Sequence, residues 1–330
     1  MPPNTTTTTT PPQKVFITGA TGYIGRVVTE FAIAAGHSVR GLSRSEAGDD
    51  LLHRLGATPV RGTLSDTTLL TEEAKHADMV LHLAFSHDWS KPYADLLALD
   101  ITAVDALASA LQDTDKPLVT TGGTLCVQPD PSGGETDETA PLPPYTPLPR
   151  HLAEERALAW VSKGVRISVL RLPQYVYGRE TDHGFAADLI RLAVRDGEAA
   201  KIDDGEWCFS SVHVEDAARL YFLVARFAGP GEVFNGVSCM DVTYSALAGA
   251  ISRVVGVDVV SRTREELEAK WGRFLVEFVL VRNRASGRKA SERLGWCPAG
   301  PGILEEVEFG SYVPVVERFR RGRESVVGNE

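Results

Sequence analysis

Short apolar runs recur along the first half of the chain from Lys14 onward. Residues 15–18, 38–42, Thr58–Arg61, 79–83, 118–120 and 165–170 each read as a buried strand. Between several of them the apolar positions switch to helical spacing, over 23–35, 95–111 and 151–163. Strands alternating with helices predict right-handed crossovers and a parallel sheet covered on both faces. After Leu170 the rhythm changes. Helical patterns at 185–195, Val214–Phe227, 243–255 and 264–278 are separated by short strands such as 232–236, which predicts a smaller lobe interleaved with the first. The expected organisation is a disordered tail at 1–13, a Rossmann-type α/β domain at 14–172 and a smaller substrate lobe at 173–330. The stretch 128–149, rich in proline, glycine and acidic residues, reads as a long surface loop.

Composition narrows the function classes. The chain has 330 residues, 43% hydrophobic and 24% charged, which suits a globular α/β protein with a sizeable core. Its formal net charge of −10 disfavours general binding to phosphate backbones, so no nucleic-acid partner is expected. The threonine run Thr5–Thr10 offers nothing to bury and has neither the basic start nor the apolar centre of a signal peptide. No stretch approaches the roughly 18 uncharged apolar residues of a membrane span. A cytoplasmic protein without a membrane partner is the expectation. Cys126, Cys208, Cys239 and Cys297 are scattered and form no CxxC pair, and Cys208 and His213 lack further ligand partners, so no metal site is predicted.

The candidate chemistry begins where the first strand runs into Thr18-Gly19-Ala20-Thr21-Gly22-Tyr23-Ile24-Gly25. Glycines three apart allow a tight strand-to-helix turn, close approach of a pyrophosphate and close helix–strand packing. The following helix offers unpaired N–H groups and its positive dipole end to the phosphates. At the end of the second strand, where NAD binders place an acid on the ribose 2′-hydroxyl, the chain has Ser43 and Arg44. Serine and arginine both suit a 2′-phosphate, so the predicted cofactor is NADP(H).

The glycine run, the sheet rhythm and the later lobe together resemble the extended short-chain dehydrogenase/reductase superfamily, from Lys14 to about Tyr312. The segments His-Leu-Ala-Phe-Ser-His-Asp-Trp (82–89), Lys-Pro-Leu-Val-Thr-Thr-Gly-Gly-Thr (116–124), Arg-Leu-Pro-Gln-Tyr-Val-Tyr-Gly (171–178) and Arg-Leu-Gly-Trp-Cys-Pro (293–298) resemble an atypical subgroup, epimerase/dehydratase-like. That subgroup keeps the glycine motif and lacks the usual active-site set. The resemblance implies that Leu64 lies near the adenine, that Leu83, Ala84 and Phe85 line the cofactor with their backbone, and that Pro173 begins a loop past the nicotinamide. It puts Asp100 where relatives often have asparagine. It implies a mostly structural histidine at His213, and dimer pairing through helices 95–111 and 151–163.

The superfamily uses a serine, a tyrosine and a lysine four residues later. Here the serine's place falls on Gly122, with Thr121 and Thr124 nearby, the tyrosine's on Thr146 and the lysine's on Arg150. An aliphatic hydroxyl is a far weaker acid than a phenol, and a guanidinium with a pKa above about 12 does not relay protons. Pro147 and Pro149 set the helix start near 149 and leave residue 146 in the loop. The replacement acid is sought in His87 or Tyr145. Asp88, Trp89, Tyr175, Tyr177 and His183 are the candidate substrate contacts, as loop residues beyond the carboxyl ends of the strands. The predicted activity is NADPH-dependent reduction of a small or medium carbonyl or enone, with Thr121, Thr124 and Thr146 as hydrogen-bond donors and Arg150 as an electrostatic element. A non-redox isomerase, dehydratase or cyclase and an NADP(H)-sensing binding protein are the alternatives.

Overall fold

A computed structural model of the chain describes residues 11–86, 88, 90–142 and 149–327. The first part alternates β1 (Lys14–Thr18), α1 (Tyr23–Ala34), β2 (Ser38–Ser43), α2 (Glu46–Arg54), β3 (Thr58–Arg61), α3 (Thr67–His76), β4 (Met79–His82), α4 (Tyr93–Ser109), β5 (Leu118–Gly123), α5 (His151–Ala159) and β6 (Ile167–Leu172). Then follow β7 (Tyr175–Tyr177), α6 (Phe185–Asp196), β8 (Glu198–Ile202), β9 (Cys208–His213), α7 (Val214–Phe227), β10 (Val233–Asn235), β11 (Cys239–Thr243), α8 (Tyr244–Val255) and β12 (Asp258–Arg262). The chain closes with α9 (Arg264–Trp271), α10 (Arg273–Leu280), α11 (Arg288–Leu294), α12 (Ile303–Glu308) and α13 (Val313–Val327).

Seven parallel strands make the main sheet in the order β10-β6-β5-β4-β1-β2-β3. Along β1 successive side chains enter opposite cores, which is why the strand reads as an unbroken apolar run. Val15 and Ile17 pack with Val28 of α1 and Leu220 of α7, whereas Phe16 packs with Leu107 of α4 and Trp160 after α5. The order reverses at β1, between β2 and β4, and this opens a crevice at the carboxyl ends of the strands. The later half contributes β10 at the sheet edge and α7 on the α1 face. Its remaining elements build a second core of Tyr175, Tyr177, Phe209, Tyr244, Leu247 and Val276, around a three-stranded sheet β11-β9-β7 and the pair β12-β8. No described helix is long and apolar enough to cross a membrane.

Two differences from the sequence reading have clear causes. The pattern over 264–278 forms two helices, because Gly272 takes φ +82° and gives the chain a left-handed break. The helices α2 and α3 bury only one and two residues respectively, too few for a periodicity signal.

His213 caps α7: its Nδ1 accepts from the Glu215 amide at 3.4 Å, and its ring meets Tyr177 edge-on at 5.6 Å. Burial holds its pKa below the ordinary value of 6.5, against the pull of Glu306, Glu215 and Asp216. The native imidazole therefore stays neutral while the unfolded one protonates as pH falls through about 6.5. Stability contributed by His213 is present at pH 7 and lost toward pH 5. Urea unfolding at the two pH values should show a smaller acid loss in His213→Asn than in the wild type; equal losses would remove His213 as a source.

Candidate functional site

The glycine turn stands at the crevice. Gly19 takes φ +74°, and a Cβ there would lie 2.8 Å from the Ala84 amide nitrogen. Close contact with the segment after β4 is thus possible only without a side chain. The α1 N-terminus has Gly22 as its cap, no side-chain capping bond and no acid in its first turn. Its free N–H groups and dipole suit the anionic pyrophosphate of a dinucleotide. Thr21 and Ile24 flank these glycines, and the Tyr23 hydroxyl donates to Gly178 O at 2.8 Å, tying the turn to the loop after β7. Leu83 N donates to Thr18 O at 3.2 Å and Ala84 N to Thr18 Oγ1 at 3.4 Å, which sets the Leu83–Phe85 backbone beside the turn.

Beneath it lies a polar chain absent from the sequence reading as a unit. Parallel register places Thr18 opposite His82. His82 Nδ1 is 2.7 Å from Thr18 Oγ1, and its Nε2 is 3.0 Å from Asp100 Oδ1, all three residues buried. With the carboxylate as acceptor, Nε2 carries the hydrogen and Thr18 donates to Nδ1. The chain links β1, β4 and α4 below the crevice.

At the adenosine side, Ser43 is fully buried and its hydroxyl donates to Ser45 O at 3.0 Å. Arg44 beside it is exposed and makes no ion pair among the described residues. Leu64 is 8% exposed, packed with Leu42 and Val60 at the ends of β2 and β3.

At the other end of the crevice, Arg150 leads into α5. Its guanidinium stacks 3.9 Å from the Phe85 ring centre, and Nη2 donates to Thr121 O at 3.2 Å. Thr121 Oγ1 donates to His82 O at 2.8 Å and lies 2.7 Å from the Tyr221 hydroxyl. At Gly122, the serine's place, an added Cβ would meet Glu154 Oε2 at 3.0 Å and Arg171 Cγ at 3.2 Å. Those belong to a buried ion pair: Arg171 donates to Glu154 through Nε at 2.9 Å and Nη2 at 2.5 Å, and through Nη1 to Glu138 O at 3.2 Å. The ion pair crowds the room a serine would use and ties α5, β6 and the 128–142 loop together.

Several sequence candidates are corrected. Tyr175 and Tyr177, expected over the substrate, are each 1% exposed in the second core, because alternate side chains of β7 point into it. Tyr177 donates to Pro301 O at 2.8 Å. Thr124, expected as a hydrogen-bond donor to substrate, is fully buried and donates to Asn283 Oδ1 at 2.7 Å. Ser43, expected on the 2′-phosphate, is fully buried with its hydroxyl engaged by Ser45 O. His183 is exposed beside Asp182, and Asp88 is exposed, its carboxyl held below the usual range by Ser90. Pro173 is buried between β6 and β7. His87, Trp89, Tyr145 and Thr146 lie outside the described residues.

The profile of the NAD dependent epimerase/dehydratase family matches residues 15–235, from β1 through β10. The chain belongs to that family. Its fold and relatives make it an extended short-chain dehydrogenase/reductase, of oxidoreductase and epimerase type. Among curated relatives, the uncharacterized protein C2A9.02 of Schizosaccharomyces pombe is 35% identical over 299 residues, covering 91% of this chain and 99% of its own length. A 4-hydroxy-2-methyl-3-oxo-4-farnesyl-3,4-dihydroquinoline-1-oxide ketoreductase of Stigmatella aurantiaca is 28% identical over 225 residues, 67% of each protein. The solved structure of MoeE5 in complex with UDP-glucose and NAD superposes with a TM-score of 0.72 at 21% identity, over 92% of this chain and 99% of that one, a likeness of fold. Gly122 and Arg150 are the positions at which the sequence resemblance expects the superfamily's serine and lysine.

Proposed function

We propose that the chain is an NADPH-dependent reductase of a small or medium carbonyl or enone substrate. The observation that carries this reading is the exposed Arg44 directly after β2, together with an α1 N-terminus that has no side-chain cap. The likeness to the Stigmatella ketoreductase supports the reaction class. The turn Gly19–Gly25 and the α1 amides would hold the pyrophosphate, Leu64 would face the adenine, and Arg44 would meet the 2′-phosphate. Leu83–Phe85, Thr121 and Pro173 would flank the nicotinamide. When bound, the reduced nicotinamide supplies a hydrogen and an electron pair to the substrate carbon. Arg150, fixed by Phe85 and Thr121 O, places a permanent positive charge where oxygen develops negative charge.

Calorimetric titration with NADPH and then NADH tests the reading. Arg44→Ala should weaken NADPH binding about tenfold, the scale of one charge-assisted contact, and leave NADH binding unchanged. Equal loss for both cofactors would remove Arg44 from the 2′ site. A second reading, isomerase or dehydratase chemistry without net redox, draws on Gly122 and Arg150, which remove the usual redox set. Product formation at constant NADPH absorbance would select it.

A further inference from the structure

The resemblance puts the superfamily's tyrosine place on Thr146, and His87 and Tyr145, the acids the sequence suggested instead, lie outside the described residues. Most phenols near the crevice are committed elsewhere. Tyr23 donates to Gly178 O, Tyr177 to Pro301 O, and Tyr221 is fully buried against Thr121 on the α7 face. Tyr93 differs. It opens α4 directly after Pro92, the residue that caps the helix. Its ring is half-buried, 6.1 Å from the Phe85 ring at an interplanar angle of 44°. Phe85 in turn carries the Arg150 guanidinium 3.9 Å from its centre, and Arg150 is bonded to Thr121 O. Tyr93, Phe85, Arg150 and the Thr121 carbonyl thus form one group across the end of the crevice.

We propose that Tyr93 is the proton donor of this site, placed beside Arg150 by the Phe85 ring. The assignment rests on the reductase reading above. The substrate's carbonyl carbon gains a hydrogen and an electron pair from the reduced nicotinamide, which is oxidised, and the C=O π pair moves onto oxygen. Tyr93 Oη transfers its proton to that oxygen, forming the alcohol O–H. The phenolate left behind is stabilised by Arg150 and takes a proton from water. Among the described residues, the charged and titratable groups in electrostatic reach of the phenol are Arg150 at the start of α5, Cys126 after β5 and Asp100 on α4. Burial pushes the Tyr93 pKa up to about 12, while Arg150 opposes the rise. The phenol is therefore protonated at neutral pH, as a donor in the reductive direction must be.

The residue escaped the sequence reading because the superfamily's acid precedes α5 by a few positions, whereas Tyr93 comes from another helix. Only the fold sets it against Arg150.

The experiment compares wild type with Tyr93→Phe for NADPH consumption with benzaldehyde, phenanthrene-9,10-quinone and cyclohex-2-enone as probes, and measures NADPH affinity by calorimetry. Tyr93→Phe should lower kcat at least ~100-fold, within the usual contribution of a positioned acid, with unchanged NADPH affinity. The wild-type rate should stay flat from about pH 6 to about pH 9, where a histidine donor would lose rate above about pH 7. As a readout independent of turnover, alkylation of the thiol in Tyr93→Cys, followed on its peptide by mass spectrometry, should slow severalfold at saturating NADPH. Wild-type turnover retained in Tyr93→Phe, or alkylation indifferent to NADPH, overturns the donor and leaves the reductase reading standing. A wild type that consumes NADPH with none of the probes overturns both.

Discussion

Gly25→Ala should lower the free energy of unfolding by about 3 kcal/mol and weaken NADPH binding, because it inserts a methyl group where two pieces of backbone touch. An alanine Cβ at 25 would stand 2.0 Å from Gly19 O, 2.7 Å from Gly19 C and 2.9 Å from Ala20 Cα. All three are main-chain atoms, so no rotamer change relieves the contact. Either α1 moves away from β1 or the turn opens, and both spoil the amide cradle at the helix start. Gly22 supplies the comparison. Its φ is −75°, and an added Cβ would meet only Gly19 O, at 3.2 Å. Gly22→Ala should therefore cost less than about 1 kcal/mol of stability, whatever it does to phosphate approach. Urea unfolding of the two variants, with a parallel NADPH titration, measures the contrast. Gly25→Ala within experimental error of Gly22→Ala would show that the turn is not packed as described.

The second large effect concerns Arg171 and Glu154, which are 5% and 9% exposed. A buried ion pair is not in itself strongly stabilising, since desolvation offsets most of the attraction. Removing one partner is a different matter. Arg171→Met would leave the Glu154 carboxylate buried without its bidentate donor, and the expected loss is about 3–5 kcal/mol. The double variant Arg171→Met/Glu154→Met should recover much of the loss by replacing both charges with apolar groups. A single variant as stable as wild type, or a double variant no better than the single, would remove the pair as the tie between α5 and β6. The Glu138 carbonyl also loses its donor in the single variant, which loosens the 128–142 loop from the sheet.

How much of this was legible depended on how local each signal was. The helix Val214–Phe227 is legible to the residue, because an apolar stripe runs its whole length and a capping histidine precedes it. The strand Thr58–Arg61 is also recovered to the residue. The reading of 264–278 as one helix failed at Gly272, since apolar spacing continues across a residue whose backbone breaks the helix. Tyr175 and Tyr177 show a subtler limit. Their place after β6 is right for a loop over the substrate, but pairing of β7 with β9 turns both rings into the second core.

The sequence by itself determined the parallel α/β sheet and the glycine turn on its first crossover. Both depend on interactions within one strand, one turn and one helix, where spacing translates directly into geometry. By resemblance it also puts Gly122, Thr146 and Arg150 where the superfamily has serine, tyrosine and lysine. Which side chains surround those positions was decided by tertiary structure alone. Arg171 and Glu154 are 17 positions apart, and Tyr93 opens α4 whereas Arg150 caps α5. Such side chains come together only because the crossovers between β4, β5 and β6 pack α4 and α5 on one face of the sheet, and no local pattern along the chain records that distance.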